Sequence, residues 1–94
     1  MDKYGRITIP KEFRDLVKLD SEEVAICLDD DFEFHFVSTD CIDDDDMVIA
    51  IAPMDEKGRI YLPTKMLQRY HIKETEQNEF FFIEKRKIHV LFEE

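Results

Sequence analysis

A ten-residue pattern, Met-Asp-x-x-Gly-Arg-Ile-x-x-Pro, occurs twice in this chain, beginning at Met1 and again at Met54. Six of its ten positions are identical, and the only two glycines of the chain both belong to it. Such a repeat indicates that each copy is one supersecondary unit, which buries its apolar face against the other copy. The sequence therefore predicts one domain of 94 residues made of two similar halves.

The pattern itself predicts a turn, a strand and the start of a helix. Its glycine allows a positive φ, so the chain can reverse direction there. Its aspartate can accept hydrogen bonds from the turn or pair with the arginine four positions on. For Arg6 and Arg59, turn stabilisation and contact with a ligand are equally open. The proline suits the first turn of a helix, and the apolar residues that follow have helical spacing: Phe13, Leu16, Val17 and Leu19, then Met66, Leu67, Tyr70 and Ile72.

After the helices the two copies match again, at an offset of 56 positions. Residues 24–27 align with residues 80–83, and three phenylalanines, Phe32, Phe34 and Phe36, align with Ile88, Val90 and Phe92. The alternation has the period of two that is typical of strands, so each copy is predicted to end in a β-hairpin. One tip is Asp29-Asp30-Asp31 and the other is Lys85-Arg86-Lys87. Two interpretations of these tips are open: they are separate solvated turns, or they attract each other as an oppositely charged pair, within one molecule or between two.

The segment between the copies is acidic, and a strand follows it. Residues 1–37 form repeat one, residues 38–46 an acidic linker and residues 47–94 repeat two. Asp43–Asp46 are expected to be exposed. Residues 47–52 predict a strand that leads into the second motif, whereas the first motif begins at residue 1 without one. An unpaired sheet edge invites another chain, so we predict a homodimer through this edge or a rearranged barrel that covers it.

The stretch Asp-Lys-Tyr-Gly-Arg-Ile-Thr-Ile-Pro-Lys-Glu-Phe-Arg from Asp2 and the stretch 55–63 resemble the AbrB/SpoVT/MazE group of swapped-hairpin proteins and the related MraZ proteins. The second copy departs after its proline, with Leu67 where the first has Arg14. The resemblance implies a mainly β fold with short helices, a swapped-hairpin barrel formed by two tandem repeats in one chain. It also implies a transcriptional regulator that binds duplex DNA through the basic residues near the two turns and helices. These are Lys3, Arg6, Lys11, Arg14, Lys57, Arg59, Lys65 and Arg69.

The charge distribution keeps a second function open. The net charge is −10, and residues 19–49 contain twelve acidic residues and no lysine or arginine. An acidic surface repels nucleic acid and attracts basic partners. The alternative is therefore an acidic protein-interaction module that binds a basic protein, either antitoxin-like or a barrel that has lost DNA binding.

Other classes of protein find little support in the sequence. No nucleophile elbow, phosphate loop or metal-binding cluster is evident, so we expect no enzymatic activity, no cofactor and no metal site. Cys27 and Cys41 are expected to be reduced thiols, and His35, His71 and His89 to be surface or edge residues. No apolar run approaches the roughly 20 residues that a membrane helix needs. A cytoplasmic location without a membrane partner is expected.

Overall fold

A computed structural model describes residues 1–2, 4–19, 22–30, 33–72 and 78–93 of the chain. These residues confirm the predicted mainly β class with short helices. In chain order the elements are β1 (Arg6–Thr8), α1 (Lys11–Leu16), β2 (Glu23–Leu28), β3 (Phe34–Ser38), a turn of 3-10 helix (Thr39–Cys41), β4 (Val48–Pro53), β5 (Arg59–Tyr61), α2 (Thr64–Arg69), β6 (Asn78–Glu84) and β7 (Lys87–Glu93). In the part of the chain that the structure describes, neither helix is long and apolar enough to cross a membrane.

The strands of the described residues form two antiparallel sheets. Five strands lie in the order β4-β2-β3-β7-β6, and β1 and β5 pair as a separate two-stranded ribbon. The hairpins β2–β3 and β6–β7 are the two that the alternating sequence predicts, one from each copy. They join through β3 and β7, so both copies contribute to the same sheet.

Equivalent residues of the two copies pair with each other. Ile7 pairs with Ile60, its equivalent in the repeat, at the centre of the ribbon. Phe34 likewise pairs with Val90, its equivalent at the offset of 56 positions. An antiparallel pair of equivalent residues lies on a twofold axis that relates its two strands. The copies are therefore related by a pseudo-twofold axis at both ladders, as two subunits are in a symmetric dimer.

The two copies interlock around their glycine turns. The backbone N–H of Ile9 donates to the carbonyl oxygen of Gly58 at 2.9 Å, and Leu62 donates to Gly5 at 3.1 Å. Arg14 of the first copy lies against Gly58, and its equivalent Leu67 lies near Gly5. Each helix thus covers the turn of the other copy.

The main core lies between one face of the five-stranded sheet and the layer formed by the ribbon and the helices. Its largest fully buried side chains include Phe36, Ile7, Ile26, Ile60 and Leu67. Burying one such side chain stabilises the fold by about 1.5–3 kcal/mol. The motif prolines directly precede α1 and α2, with φ near −60°, which agrees with the predicted helix starts.

The described residues do not close the expected barrel. Met54, just after β4, bridges to Ile60 of the ribbon, and its N–H donates to the carbonyl oxygen of Glu22. This segment links the two sheets on one side. Among the described residues, no equivalent strand runs between β6 and β1 on the other side. Closure needs such a strand on both sides, so the swapped-hairpin barrel remains a prediction.

The expectation of a fully exposed acidic linker is wrong at one position. Asp43, Asp44 and Asp45 are exposed, but the side chain of Asp46 is only 1% exposed. Asp46 accepts a hydrogen bond from Lys87, the last residue of the basic hairpin tip. A tip residue therefore pairs within the molecule, but with the linker. Its partner is not the acidic tip that the sequence aligned with it.

Candidate nucleic-acid interface and a buried histidine pair

The ribbon presents a small polar surface on the side away from the core. Ile7 and Ile60 point inward and are fully buried. Alternation along each strand turns the neighbouring side chains outward. Arg6 pairs with Tyr61, and Thr8 pairs with Arg59. We call these four residues the ribbon face, and the pseudo-twofold axis passes through its centre.

Each Gly-Arg turn is held by its own aspartate. In the first turn, Asp2 Oδ1 accepts from the backbone N–H groups of Tyr4 and Arg6 at 2.9 Å, and Oδ2 accepts from Arg6 Nε at 2.7 Å. Asp55 makes the same three bonds in the second turn, with its Arg59 Nε bond at 2.5 Å. Both arginines therefore stabilise their turns, which was one of the two open roles, and their contact with a ligand stays a prediction.

The turn hydrogen bonds favour the ionised aspartates. For Asp55, the backbone N–H of Arg59 is the main cause of a lowered pKa, and desolvation opposes it less strongly. For Asp2, desolvation alone would raise the pKa, but the bonds from Arg6 and Tyr4 together outweigh it and lower the pKa. Each turn thus carries a carboxylate bound to an arginine at neutral pH.

Aromatic rings fix the guanidinium of Arg6. Its central carbon lies 5.0 Å from the ring centroid of Tyr4 and 5.5 Å from that of Tyr61, within cation–π range. The side chain remains 21% exposed, and that of Arg59 remains 38% exposed. Both guanidinium groups are therefore accessible while their orientation is restrained.

The other predicted basic residues do not all join this surface. Lys57 is exposed in the second Gly-Arg turn, Lys65 and Arg69 are exposed on α2, and Lys3 lies outside the described residues. Lys11 lines a groove that contains two basic and five acidic side chains. The lining residues are Lys11, Arg14, Asp15, Leu19, Glu22, Glu23, Thr39, Pro53, Met54, Asp55 and Glu56. Around Lys11 and Arg14, the basic charge is therefore interrupted by acidic side chains.

Arg14 has a structural role that the sequence does not reveal. Its Nε donates to the carbonyl oxygen of Ile9 at 3.0 Å, and the side chain is half-buried. The guanidinium also lies against Gly58. Arg14 therefore holds the interlocked turn, which leaves its Nε unavailable to a ligand.

Sequence reasoning missed a buried polar cluster on the outer face of the large sheet. His35 and His89 are 3% and 7% exposed, so the expectation of surface positions is wrong for both, whereas His71 is exposed. They pair across β3 and β7, and Asp29 and Asp46 contact them. The alternating pattern indicates that both histidines face away from the core. The register that brings them together is not visible in either strand alone.

Cys27 lies beside this cluster, opposite His35 in the sheet. Burial raises the pKa of its thiol to about 12, and the nearby carboxylate of Asp46 contributes to the shift. The thiol is therefore protonated at neutral pH and a poor nucleophile. Both cysteines are free, Cys27 buried and Cys41 exposed, as expected of reduced thiols.

Comparison of the chain with protein-family models, curated proteins and solved structures finds no match. The resemblance to the AbrB and MraZ proteins accordingly stays a prediction that rests on the two motifs. The functional argument depends on the geometry of the described residues.

Proposed function

We propose that this protein binds duplex DNA through the ribbon face and regulates transcription. The observation that carries the proposal is the antiparallel pairing of β1 with β5. This pairing puts Arg6 and Arg59 on one outward surface, related by the pseudo-twofold axis. Lys57 stands at one end of the surface, in the second turn.

The shape and chemistry of the ribbon face suit a duplex. A two-stranded antiparallel ribbon fits the width of the major groove, and arginine can contact either guanine edges or phosphates there. A surface with twofold symmetry matches the local twofold symmetry of duplex DNA. Because Tyr4 and Tyr61 restrain Arg6, less side-chain entropy is lost when it binds.

The net charge of −10 sets the conditions for binding. The acidic groups repel the duplex over about one Debye length, while phosphate contacts release counterions. We therefore expect weak binding that is detectable at low salt and that weakens steeply as salt is added.

The double substitution Arg6→Gln and Arg59→Gln tests the proposal. In fluorescence-anisotropy titrations with a labelled duplex at about 50 mM salt, we expect at least a tenfold loss of affinity. The slope of log affinity against log salt should fall by about 2, one unit for each lost phosphate contact. Circular dichroism checks that the variant remains folded.

The matched control is Lys85→Gln with Arg86→Gln, which removes the same charge from the exposed tip of the β6–β7 hairpin. It should bind DNA almost as well as the unmodified chain. Equal losses in the two double variants would mean that only net charge matters, and would refute a role for the ribbon face. Absence of binding at low salt would overturn DNA binding altogether.

The second candidate function is binding of a basic protein. It is favoured by the exposed run Asp43–Asp45, which projects beside the anchored Asp46. The two functions use different surfaces, so the DNA titration separates them. If the chain does not bind DNA at low salt, binding of a basic protein by this acidic run becomes the better-supported function.

We also infer that β6 mediates a homodimer. The pseudo-twofold axis relates β6 to β2, and the outer edge of β2 is paired with β4. Among the described residues, no strand pairs with the outer edge of β6. This edge has an apolar run, residues 80–83, without the lysine or proline that usually protects an edge strand. Antiparallel pairing with β6 of a second copy would bring the basic tip at Lys85 towards Glu79 of that copy.

Phe80→Lys tests the dimer. Phe80 is 54% exposed on the edge strand, and a lysine there interrupts the apolar run with a charge, as lysines on natural edge strands do to prevent pairing. We expect light scattering to show a dimer for the unmodified chain and a monomer for this variant. Leu91→Lys is the control, because Leu91 pairs with Phe80 but belongs to the interior strand β7. A monomeric unmodified chain, or dissociation by both variants alike, would contradict edge pairing.

A further inference from the structure

Two histidines and an aspartate converge on the outer face of the large sheet, outside the ribbon face. Asp29 follows β2, and its Oδ1 lies 2.6 Å from Nδ1 of His35. Its Oδ2 lies 3.3 Å from Nδ1 of His89. The three candidate ligand atoms are all within 4.8 Å of one another. This spacing is short enough for the three side chains to share one ion.

Neither Nδ1 atom has a hydrogen-bond partner in the described part of the chain. Both rings are more than nine-tenths buried, with side chains 4% and 9% exposed. A buried polar nitrogen without a partner is costly and uncommon in native proteins. The two atoms face the carboxylate of Asp29, so a partner for both would lie between the three residues.

The second nitrogen of His35 indicates which tautomer is present. Nε2 lies 3.0 Å from Oδ1 of Asp46, a carboxylate that is also held by Lys87. Because a carboxylate accepts, Nε2 carries a proton, and in the neutral ring Nδ1 then presents a lone pair. That lone pair would face an Asp29 oxygen at 2.6 Å, where two electron-rich atoms repel each other unless a metal ion or a proton lies between them. A carboxylate that orients the far nitrogen of a histidine is a common companion of bound zinc.

The ring of His89 is also restrained. It stacks on Phe82, with centroids 4.9 Å apart and an angle of 10° between the planes. Phe82 and His89 are directly paired in the sheet, so this stacking follows from the register of β6 and β7. Both histidine ligands are therefore held in place by neighbours that do not themselves take part in coordination.

We propose that Asp29, His35 and His89 bind a Zn²⁺ ion. The ligands would be Nδ1 of each histidine and the carboxylate of Asp29, with water at a fourth position. Imidazole and carboxylate suit zinc, whose bonds of about 2.0–2.2 Å put tetrahedral ligands roughly 3.3 Å apart. The distances of 2.6 and 3.3 Å need only small side-chain shifts to reach that geometry.

A neighbouring trio, Cys27, His35 and Asp46, also lies within ligand distance. It is a poorer site, because Asp46 already binds the ammonium group of Lys87. That positive charge would repel a cation at Asp46. The same pairing supports the first site, since it fixes Asp46 where it orients His35.

The zinc site would join the two copies. Asp29 and His35 belong to the first hairpin, and His89 belongs to the second. A bound ion would tie β3 to β7, whose ladder connects the two hairpins in the described part of the chain. It would thus stabilise the sheet where the pseudo-twofold axis crosses it.

The test is a calorimetric titration of metal-free full-length protein with Zn²⁺. We expect one ion per chain, and a rise in Tm of about 10 °C or more when zinc exceeds its Kd about 100-fold. Co²⁺ should give the visible absorption of a low-coordinate nitrogen and oxygen site. Mg²⁺, which prefers oxygen ligands, should leave Tm unchanged.

Asp29→Asn is the main variant, because this side chain is 28% exposed and we expect its isosteric replacement to leave the fold intact. It should weaken Zn²⁺ binding at least 100-fold, and His89→Gln should do the same. His71→Asn is the matched control, since it removes an exposed histidine and should bind like the unmodified chain. The proposal is overturned if the unmodified chain binds no zinc, if Asp29→Asn binds equally well, or if His71→Asn alone abolishes binding. If a protonated His35 bridges Asp29 and Asp46 in place of a metal, the unmodified chain binds no zinc.

Discussion

Gly58→Ala should lower the free energy of unfolding by about 3 kcal/mol, about twice the loss expected for Gly5→Ala. Both glycines have positive φ, +80° and +75°, so an alanine costs about 1–2 kcal/mol of backbone strain at either site. Only Gly58 is also crowded. A Cβ atom there would lie 2.6 Å from Arg14 Nε and 2.8 Å from the carbonyl oxygen of Ile9.

Gly5 supplies the matched control, because a Cβ atom there meets only Leu67 Cδ1, at 3.9 Å. Urea unfolding followed by circular dichroism measures both variants. Gly58→Ala should cost less in an Arg14→Ala background than in the unmodified chain, since the arginine is then absent but the backbone of Ile9 remains. Equal losses at the two glycines would contradict the interlocked packing of α1 on the second turn.

Asp46→Ala should cost about 2–3 kcal/mol, whereas Asp44→Ala should change stability by less than about 0.5 kcal/mol. The carboxylate of Asp46 is almost fully buried and accepts from Lys87, from His35 and from the backbone N–H of Asp43 at 2.9 Å. Its removal leaves a histidine nitrogen without its acceptor and leaves Lys87 with the longer contact to Asp43, at 3.7 Å. Asp44 is exposed in the same acidic run, so it controls for the loss of one charge.

The effect of Asp46→Ala should depend on pH in a defined direction. Burial alone would raise the pKa of Asp46, but the bonds from Lys87, Asp43 and His35 lower it below the ordinary value of 3.8. A lowered carboxyl pKa gives stability that is present above about pH 4 and is lost as pH falls through the folded-state pKa. The bond to Asp46 is the main cause of a raised pKa for Lys87, whose contribution is present below its ordinary 10.5 and is lost as pH rises further. Urea unfolding across pH should show the largest difference between variant and unmodified chain between these limits. A difference that does not change with pH would contradict the ion pair.

Local features of the fold could be predicted from the sequence because local chemistry determines them. The glycine turns, the helices after Pro10 and Pro63, and the two hairpins each depend on residues that are close together in the chain. The repeat also indicated two similar halves, and each contributes a hairpin to the same sheet. The sequence did not reveal that equivalent residues such as Ile7 and Ile60 pair with each other, because strand partners are chosen by the packing of the whole chain.

The functional residues were harder to predict for the same reason. Asp46 is the last of four identical residues, and only its burial and its contact with His35 distinguish it from the other three. The two buried histidines are 54 positions apart, and only the pairing of β3 with β7 makes them neighbours. Among the predicted basic residues, Arg14 donates a hydrogen bond to the backbone carbonyl oxygen of Ile9. No sequence motif indicates this contact.

The most direct test of the DNA-binding proposal is an NMR titration of the ¹⁵N-labelled chain with a duplex at about 50 mM salt, where phosphate contacts are strongest. The proposal predicts amide shift changes along both strands of the ribbon and in its turns, at residues 4–8 and 57–61. Residues 85–87, at the basic hairpin tip, should shift little. An unchanged spectrum, or changes confined to that hairpin tip, would contradict recognition of DNA by the ribbon face.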